Sequence, residues 1–532
     1  MKTENKKSHF LSRLFKHLDG IALAPTIMVL MKNRVLSLIC EFPGINIESI
    51  YNKVRNEHKN INIAYLNVAL RMLCSTGFLT KKDESYFFVI SENAGKNLEE
   101  INHNYSIAAP LYNNEIDYSI IFQNSNILES ELFTTLENYI KHLKQHPTHW
   151  NEHATKTHVE GCMLGPLIVT LSRKGCFKNI KKDDSVNWWK EINKNWQNII
   201  KKLFHLTNLT DENQKITEYG YFLFKRATSY GVTVSYLPTF RNINNLIFGN
   251  YKTLWNEPGE IEKHVDRSMN VWGSGGAHHT YFKKIDEIII DLFNLPIEQQ
   301  PKGFIDIGCG NGKLIEHIFD LIYYKTERGK QLEQYPLFIV GSDFNYKALE
   351  ATEETIKKAD IWAKTAFGDI SDPKSLAKRL DEKHQIQLED LLNVRSFLDH
   401  NRIYTAPKQQ IQRNSKSTAA FCHKGKRIDN DALQQNLKEH FEKWQPYLKK
   451  YGLLIVELHT IDPTLAAQTL GKNAMTAYDA SHGFSDQYII EYNCFLEAAL
   501  DAGLKPDPDH EHLFPSKEIP IVSINRLINS TD

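Results

Sequence analysis

The stretch from Gly303 to Phe319, GFIDIGCGNGKLIEHIF, constrains the fold more than any other part of the chain. An apolar run, Phe304 to Ile307, leads into Gly308-Cys309-Gly310-Asn311-Gly312, and apolar residues then recur at Leu314, Ile315, Ile318 and Phe319. The run reads as a strand and the recurrence as a helix. Glycines at alternate positions between them let a ligand lie against bare backbone where the helix begins. A dinucleotide-binding loop would need Gly or Ala at position 313, and this chain has Lys313 there.

The rhythm around this stretch is strand, helix, strand. Strand 303–307 is followed by a helix over 313–324, a strand from Leu337 to Gly341 and a helix over 346–359. Further strands are expected at Ala366–Gly368, Leu391–Val394 and Leu453–Leu458, with a last pair involving Ile521 to Ile524. Such alternation predicts an α/β, Rossmann-like, doubly wound parallel sheet over residues 291–532. Ahead of it, 1–105 reads as a winged helix: a helical run ended by Pro43-Gly44, a second helix opened by Asn46, a third over Ile63 to Cys74, and a hairpin in TKKDESYFFVI. Residues 70–100 are echoed at 199–227, so 106–290 is expected to hold a second winged-helix-like unit and a helical cap. Residues 236–290 read as loop-rich and aromatic, and the polar 405–430 as a surface loop.

Acids sit where the strands end. Asp306 closes the first strand and Asp343 the second, 31 residues beyond Gly312, with the insertion TERGKQLEQYP between. Gly368-Asp369-Ile370 follows the third strand. Open parallel sheets bind ligands at those carboxyl ends, and a carboxylate at Asp343 can accept from both hydroxyls of a ribose. Asp-x-Gly-x-Gly-x-Gly in this setting resembles motif I of class I S-adenosylmethionine (SAM) methyltransferases. The resemblance implies a cofactor site of Asp306, Gly308, Cys309, Gly310 and Gly312 for the amino-acid end, Asp343 and Phe344 at the ribose, and Gly368, Asp369 and Ile370 at the adenine.

A second constellation lies past these motifs. NVRSFLDHNR (393–402) supplies Asp399 and His400, VELHT (456–460) supplies Glu457 and His459, and DASHGFSDQY (479–488) supplies His482, Asp486 and Gln487. His278 and His279 are expected on a glycine-rich turn, with Trp272 and Tyr281 as pocket-lining aromatics. Two imidazoles with a carboxylate or amide suit a mononuclear iron or manganese site, which can chelate a dicarbonyl or carboxylate and stabilise an enolate. HVDRSMNVWGSGGAHHTYF, IDIGCGNGKL, GSDFN, VRSFLDHNR and HGFSDQY together resemble the metal-dependent C-methyltransferase domains of polyketide synthase loading modules, of the apratoxin and gephyronic acid type. That resemblance covers roughly residues 160–530. It implies C-methylation of a small or carrier-bound carboxylated substrate such as a malonyl thioester. It also implies metal ligands His400, His459 and Gln487, with His482 or Asp399 as substitutes. Arg395 and Arg402 suit a substrate carboxylate, because guanidinium matches it bidentately.

Two other readings stand beside this one. In a metal-free O-methyltransferase, His400 would be the general base. In a winged-helix regulator, the SAM fold would be a sensor. Against the second, the would-be recognition helix INIAYLNVALRML is nearly uncharged, whereas phosphate contacts need Lys and Arg. Basic and acidic residues balance at 64 each across 532 residues, so nothing global points to nucleic acid or an anionic membrane. No apolar run in the sequence reads as a membrane span, and no signal peptide is recognised. Seven scattered cysteines without Cys-x-x-Cys fit a reducing cytoplasm. The winged-helix plan is compatible with a homodimer.

Overall fold

The computed structural model describes residues 2–82, 87–90, 98–123, 130–145, 154–182, 184, 188–256, 262–409 and 412–530. The chain divides into two compact units. The first comprises Met1–His278 with Cys422–Arg427 and Asp462–Asp486, and the second comprises His279–Phe421, Ile428–Ile461 and Gln487–Asp532.

In the first unit, helices Val35–Glu41, Ile47–Arg55 and Ile63–Ser75 precede the antiparallel strands β1 (Leu79–Lys82) and β2 (Phe87–Ile90). The turn between the two strands, 83–86, lies outside the described residues. Asn46 caps the second of these helices by accepting from the Ser49 amide, and Asn62 caps the third by accepting from Ala64 and Tyr65, as side-chain oxygens at a helix start do. That third helix is buried at every position from Ala64 to Ser75, so it has no bare face to lay in a groove.

A long first helix, Lys2–Lys32, crosses helix Ala154–Arg173 with backbone against backbone. A Cβ on Gly20 would lie 2.3 Å from His158 Cα, and one on Gly161 would lie 2.4 Å from His17 Cα. At the crossing Glu160 takes Arg13 on one oxygen (2.5 Å) and His17 on the other (3.0 Å). The Lys6–Lys32 part of the first helix is long and apolar enough to cross a membrane, contrary to the sequence-based expectation, but 72% of its apolar window is buried inside the fold. It is a core helix of this unit.

Residues 236–290 are not loop-rich. One helix runs unbroken from Arg267 to Phe293, through the expected glycine-rich turn. Gly273 serves packing, since a Cβ there would lie 2.6 Å from the Val232 backbone nitrogen, whereas a Cβ on Gly275 would meet nothing within 4 Å. His278 and His279 fall within it, their side chains outside the description. Nor is 405–430 simply a loop, since it holds the hairpin of β7 (Phe421–His423) and β8 (Lys426–Ile428). The hairpin tip belongs to the first unit, where Asn62 Nδ2 donates to the Gly425 carbonyl (2.9 Å) and Arg427 meets Glu48 (3.3 Å).

The second unit is built on a seven-stranded sheet. Its strands are β3 (Gly303–Ile307), β4 (Phe338–Asp343), β5 (Lys364–Phe367), β6 (Leu391–Ser396), β9 (Leu453–Leu458), β10 (Leu504–Ser516) and β11 (Ile519–Asn529), in the order β10-β11-β9-β6-β3-β4-β5. The five strands from β9 to β5 are parallel, and β11 runs antiparallel between β9 and β10. Strands β3 and β9 are buried at every position, as parallel strands covered on both faces must be. Helix Asn430–Leu448 covers one face, sending Leu433, Leu437, Phe441 and Trp444 into a core with Ile305, Val340, Leu391 and Ile455. The expected doubly wound α/β fold is the fold observed, and it brings the carboxyl ends of β3, β4 and β6 together.

Candidate active site

The glycine loop is shaped by its backbone. Gly308, Gly310 and Gly312 have φ of +79, +56 and +73°, a region that L side chains adopt at a cost. The Gly308 and Cys309 amides both donate to the Ser342 carbonyl at the end of β4 (2.7 and 3.1 Å). The Gly310 amide donates to Asp343 Oδ2 (3.2 Å), and Asp343 Oδ1 accepts from Asn345 N (2.9 Å). Gly312 then starts helix Lys313–Lys325. The result is a bare-backbone cradle at a helix N-terminus, closed by a buried carboxylate. Asp306 sits beneath it, 2% exposed. Burial, and next the nearby Asp343 charge, push its carboxyl up to about 7. Gly368 closes against β4, where a Cβ would lie 2.4 Å from Ser342 Oγ. Asp369 turns one oxygen to the Ser371 amide (2.7 Å), Ile370 is buried, and the Phe344 ring stands exposed at the end of β4.

The loop touches the turn that follows β6. A Cβ on Gly308 would lie 2.9 Å from a Leu398 methyl, and the next residues, Asp399–Asn401, form a 3-10 turn. This turn hangs on Glu457 of β9. His400 Nδ1 meets Glu457 Oε1 at 2.5 Å, the Leu458 amide donates to the same oxygen (2.8 Å), and the Asp399 amide donates to Oε2 (2.8 Å). An imidazole whose Nδ1 donates to a carboxylate presents a basic Nε2 and is stabilised once protonated. Glu457 was visible in VELHT but was not assigned a role from sequence. Its signal was an acid at a strand end, beside the strand followed by His400.

His459 serves a different purpose. It is fully buried, with Nδ1 on the Ile490 carbonyl (3.2 Å) and Nε2 on Ser523 Oγ (2.8 Å). Since a carbonyl accepts only, Nδ1 carries the hydrogen and the Nε2 lone pair takes the serine hydroxyl. Burial drops its pKa to about 3. Iron or manganese would need that lone pair, so His400, His459 and Gln487 do not fit the expected metal set. Among the described residues no group of three or more His, Cys, Asp or Glu is placed to hold a metal ion. His482 belongs to the first unit, its Nδ1 on the Tyr478 carbonyl at 2.7 Å.

Arg395 is fully buried, its guanidinium 4.0 Å from the Trp444 ring centroid and bonded to Asp399 Oδ1 (2.7 Å). Arg402 gives Nε to Asn436 Oδ1 (2.8 Å) and Nη1 to the Asp399 carbonyl (2.9 Å). Asp399 Oδ1 also takes His440 Nε2 (2.9 Å), a histidine that no sequence motif singled out. The two arginines and Asp399, expected at the substrate, are engaged inside the fold.

Residues 262–525 match the model of the AprA MT2-like domain. The segment 262–525 is an AprA MT2-like domain. Residues 160–250 match the AprA winged helix domain and 10–81 the AprA N-terminal domain. The winged-helix model therefore falls on the second of the two units read from sequence. With this domain the chain is a SAM-dependent methyltransferase. No curated protein sequence matches it. Solved structures to which it is similar include the citrinin polyketide synthase CMeT domain (13% identity, 78% of this chain and 98% of that one, TM-score 0.31). Another is the CurJ carbon methyltransferase (10%, 75% and 98%, 0.32). A third is the trans-methyltransferase CalH in complex with SAH (12%, 85% and 99%, 0.31).

Proposed function

We propose that this methyltransferase transfers the SAM methyl to carbon, on an activated carboxylated substrate of the malonyl-thioester class, small or carrier-bound, in polyketide-like metabolism. The His400–Glu457 pair carries the reading. A carbon acid between two carbonyls needs a base to make its enolate, and a buried imidazole held by a carboxylate is placed to act as one. SAM, when bound, supplies an electrophilic methyl on a sulfonium. His400 Nε2 takes the α-proton, Glu457 holds the resulting imidazolium in place, and the leucine beside Gly308 keeps this turn against the donor loop. The bare backbone of the glycine loop and the Asp343 carboxylate orient the donor. No step is routed through a metal, because the candidate ligands do not fit one.

The test is product regiochemistry in the presence of a chelator, with malonyl and methylmalonyl thioesters as acceptors. Carbon methylation at an unchanged rate after exhaustive chelation is the expected outcome. Near-stoichiometric iron or manganese, lost together with activity in both His400→Ala and His459→Ala, would return the metal to the mechanism. Methylation of oxygen alone would leave His400 as a base for a hydroxyl instead.

Asp306 gives this reading a pH dependence. With its carboxyl at about 7 in the empty protein, it is increasingly protonated as pH falls below that value, and it must lose that proton to pair with the ammonium of SAM. Affinity is therefore expected to weaken as pH drops from 8 to 6, approaching tenfold per unit well below 7. Asp306→Asn is expected to flatten the profile. Calorimetric titration over that range checks it, and a flat profile in the parent protein removes Asp306 from the donor site.

A further inference from the structure

Phe397 follows β6 with a φ of +54°. Among the described residues, every other non-glycine with a left-handed backbone is Arg, Asn, Asp, Gln or Lys; Phe397 is the one apolar side chain. Bulky residues are genuine outliers in that region, and they persist only where the surroundings over-determine them. Here the surroundings can be named. The Phe397 amide donates to the Val456 carbonyl at 2.7 Å, which ties the start of the turn to β9. The ring packs edge-on to Tyr281, with centroids 6.1 Å apart. The far end of the turn is tied through Asp399. Its carboxylate takes Arg395 from β6 and His440 from helix Asn430–Leu448, its carbonyl takes Arg402, and its amide donates to Glu457. Every one of these side chains is buried.

We infer that Asp399 is a positioning residue: anchored by Arg395, Arg402 and His440, it clamps the strained Phe397 turn so that Leu398 lies on Gly308 and His400 stays on Glu457. The inference rests on His400 as the base. A turn free to relax at Phe397 would swing the imidazole off Glu457, and a displacement of about 1 Å from a reacting group costs on the order of 100-fold in rate. The charged and titratable groups around His400 are Glu457 on β9 and His459 just past it, Asp399 on its own turn, Arg395 on β6, Arg402 and His440. Removing the Asp399 charge leaves two guanidinium groups less balanced, which disfavours the imidazolium.

The experiment is a double-mutant cycle on kcat, with pH profiles. Asp399→Asn is expected to lower kcat by about 100-fold, to move the acid limb of kcat/KM to lower pH, and to leave SAM affinity unchanged. Adding Phe397→Gly, which is at ease at this φ, is expected to recover part of that kcat, although in the parent the same change lowers it through loss of the ring. Additive effects, or a wild-type rate and limb in Asp399→Asn, overturn the clamp. If Asp399→Asn does not fold, His440→Phe removes one anchor without stranding a charge and is expected to act in the same direction; a wild-type rate and limb there also overturn it. His400→Ala runs alongside. If it stays active, the base assignment has failed. If it is inactive while Asp399→Asn behaves as the parent, only the clamp has.

Discussion

Replacing His400 by alanine is expected to lower kcat by about 10²- to 10⁴-fold, the range that a positioned general base contributes, with SAM affinity close to that of the parent. The separation follows from geometry. His400 is held by Glu457 on β9, whereas the donor loop is built on Ser342 and Asp343, and Leu398 of the His400 turn lies against Gly308. Glu457→Gln should lose less. A glutamine oxygen still accepts from His400 Nδ1, but the glutamine NH2 then faces the Asp399 amide without accepting from it, and the imidazolium loses its counter-charge. The acid limb of kcat/KM is then expected to move to lower pH. Single-turnover transfer of labelled methyl to a malonyl thioester, read by mass spectrometry, measures both. A His400→Ala protein within tenfold of the parent would sink the base assignment and with it the proposed chemistry.

The second large effect is expected at Gly308. An alanine there must hold φ near +79° and place its Cβ 2.9 Å from a Leu398 methyl. The backbone cost is about 1–2 kcal/mol, and the overpacking adds roughly 1–3 kcal/mol unless Leu398 moves. If Leu398 moves, it carries the His400 turn with it. Gly308→Ala is therefore expected to weaken SAM binding and lower kcat together, and to depress Tm. Gly310→Ala is the contrast. Its Cβ would meet nothing closer than the Gly308 carbonyl at 3.9 Å, so it should impair SAM binding with a smaller loss of stability. Equal behaviour of the two variants in all three measurements would mean that Leu398 couples nothing.

These contrasts show how much the sequence could convey. The donor loop was legible because its signal is local: alternate glycines, an apolar strand before them and an amphipathic helix after. The acids at Asp306, Asp343 and Asp369 followed from the same strand ends. Glu457 and His459 were harder. Two residues apart, in and just past β9, they point to the same side, and strand periodicity gives the side without the partner. One reaches His400 and the other Ser523 of the adjacent strand β11, a difference set by tertiary contacts between segments far apart in sequence. His440 and the buried placement of Arg395 were hidden for the same reason. The Arg267–Phe293 helix was misread because its glycines signal a turn, whereas in the fold Gly273 serves close packing against Gly231 and Val232.

The partition of the chain has a further consequence. The first unit is completed by Cys422–Arg427 and Asp462–Asp486, segments encoded well inside the methyltransferase sequence. During synthesis the amino-terminal half therefore leaves the ribosome without the hairpin that bonds Asn62 and without the acid that pairs with Arg71. It is not complete until Asp486 has been added. A gene cut at residue 278 would leave the first unit incomplete, and transplanting the sequence after it into another protein would take part of the first unit along.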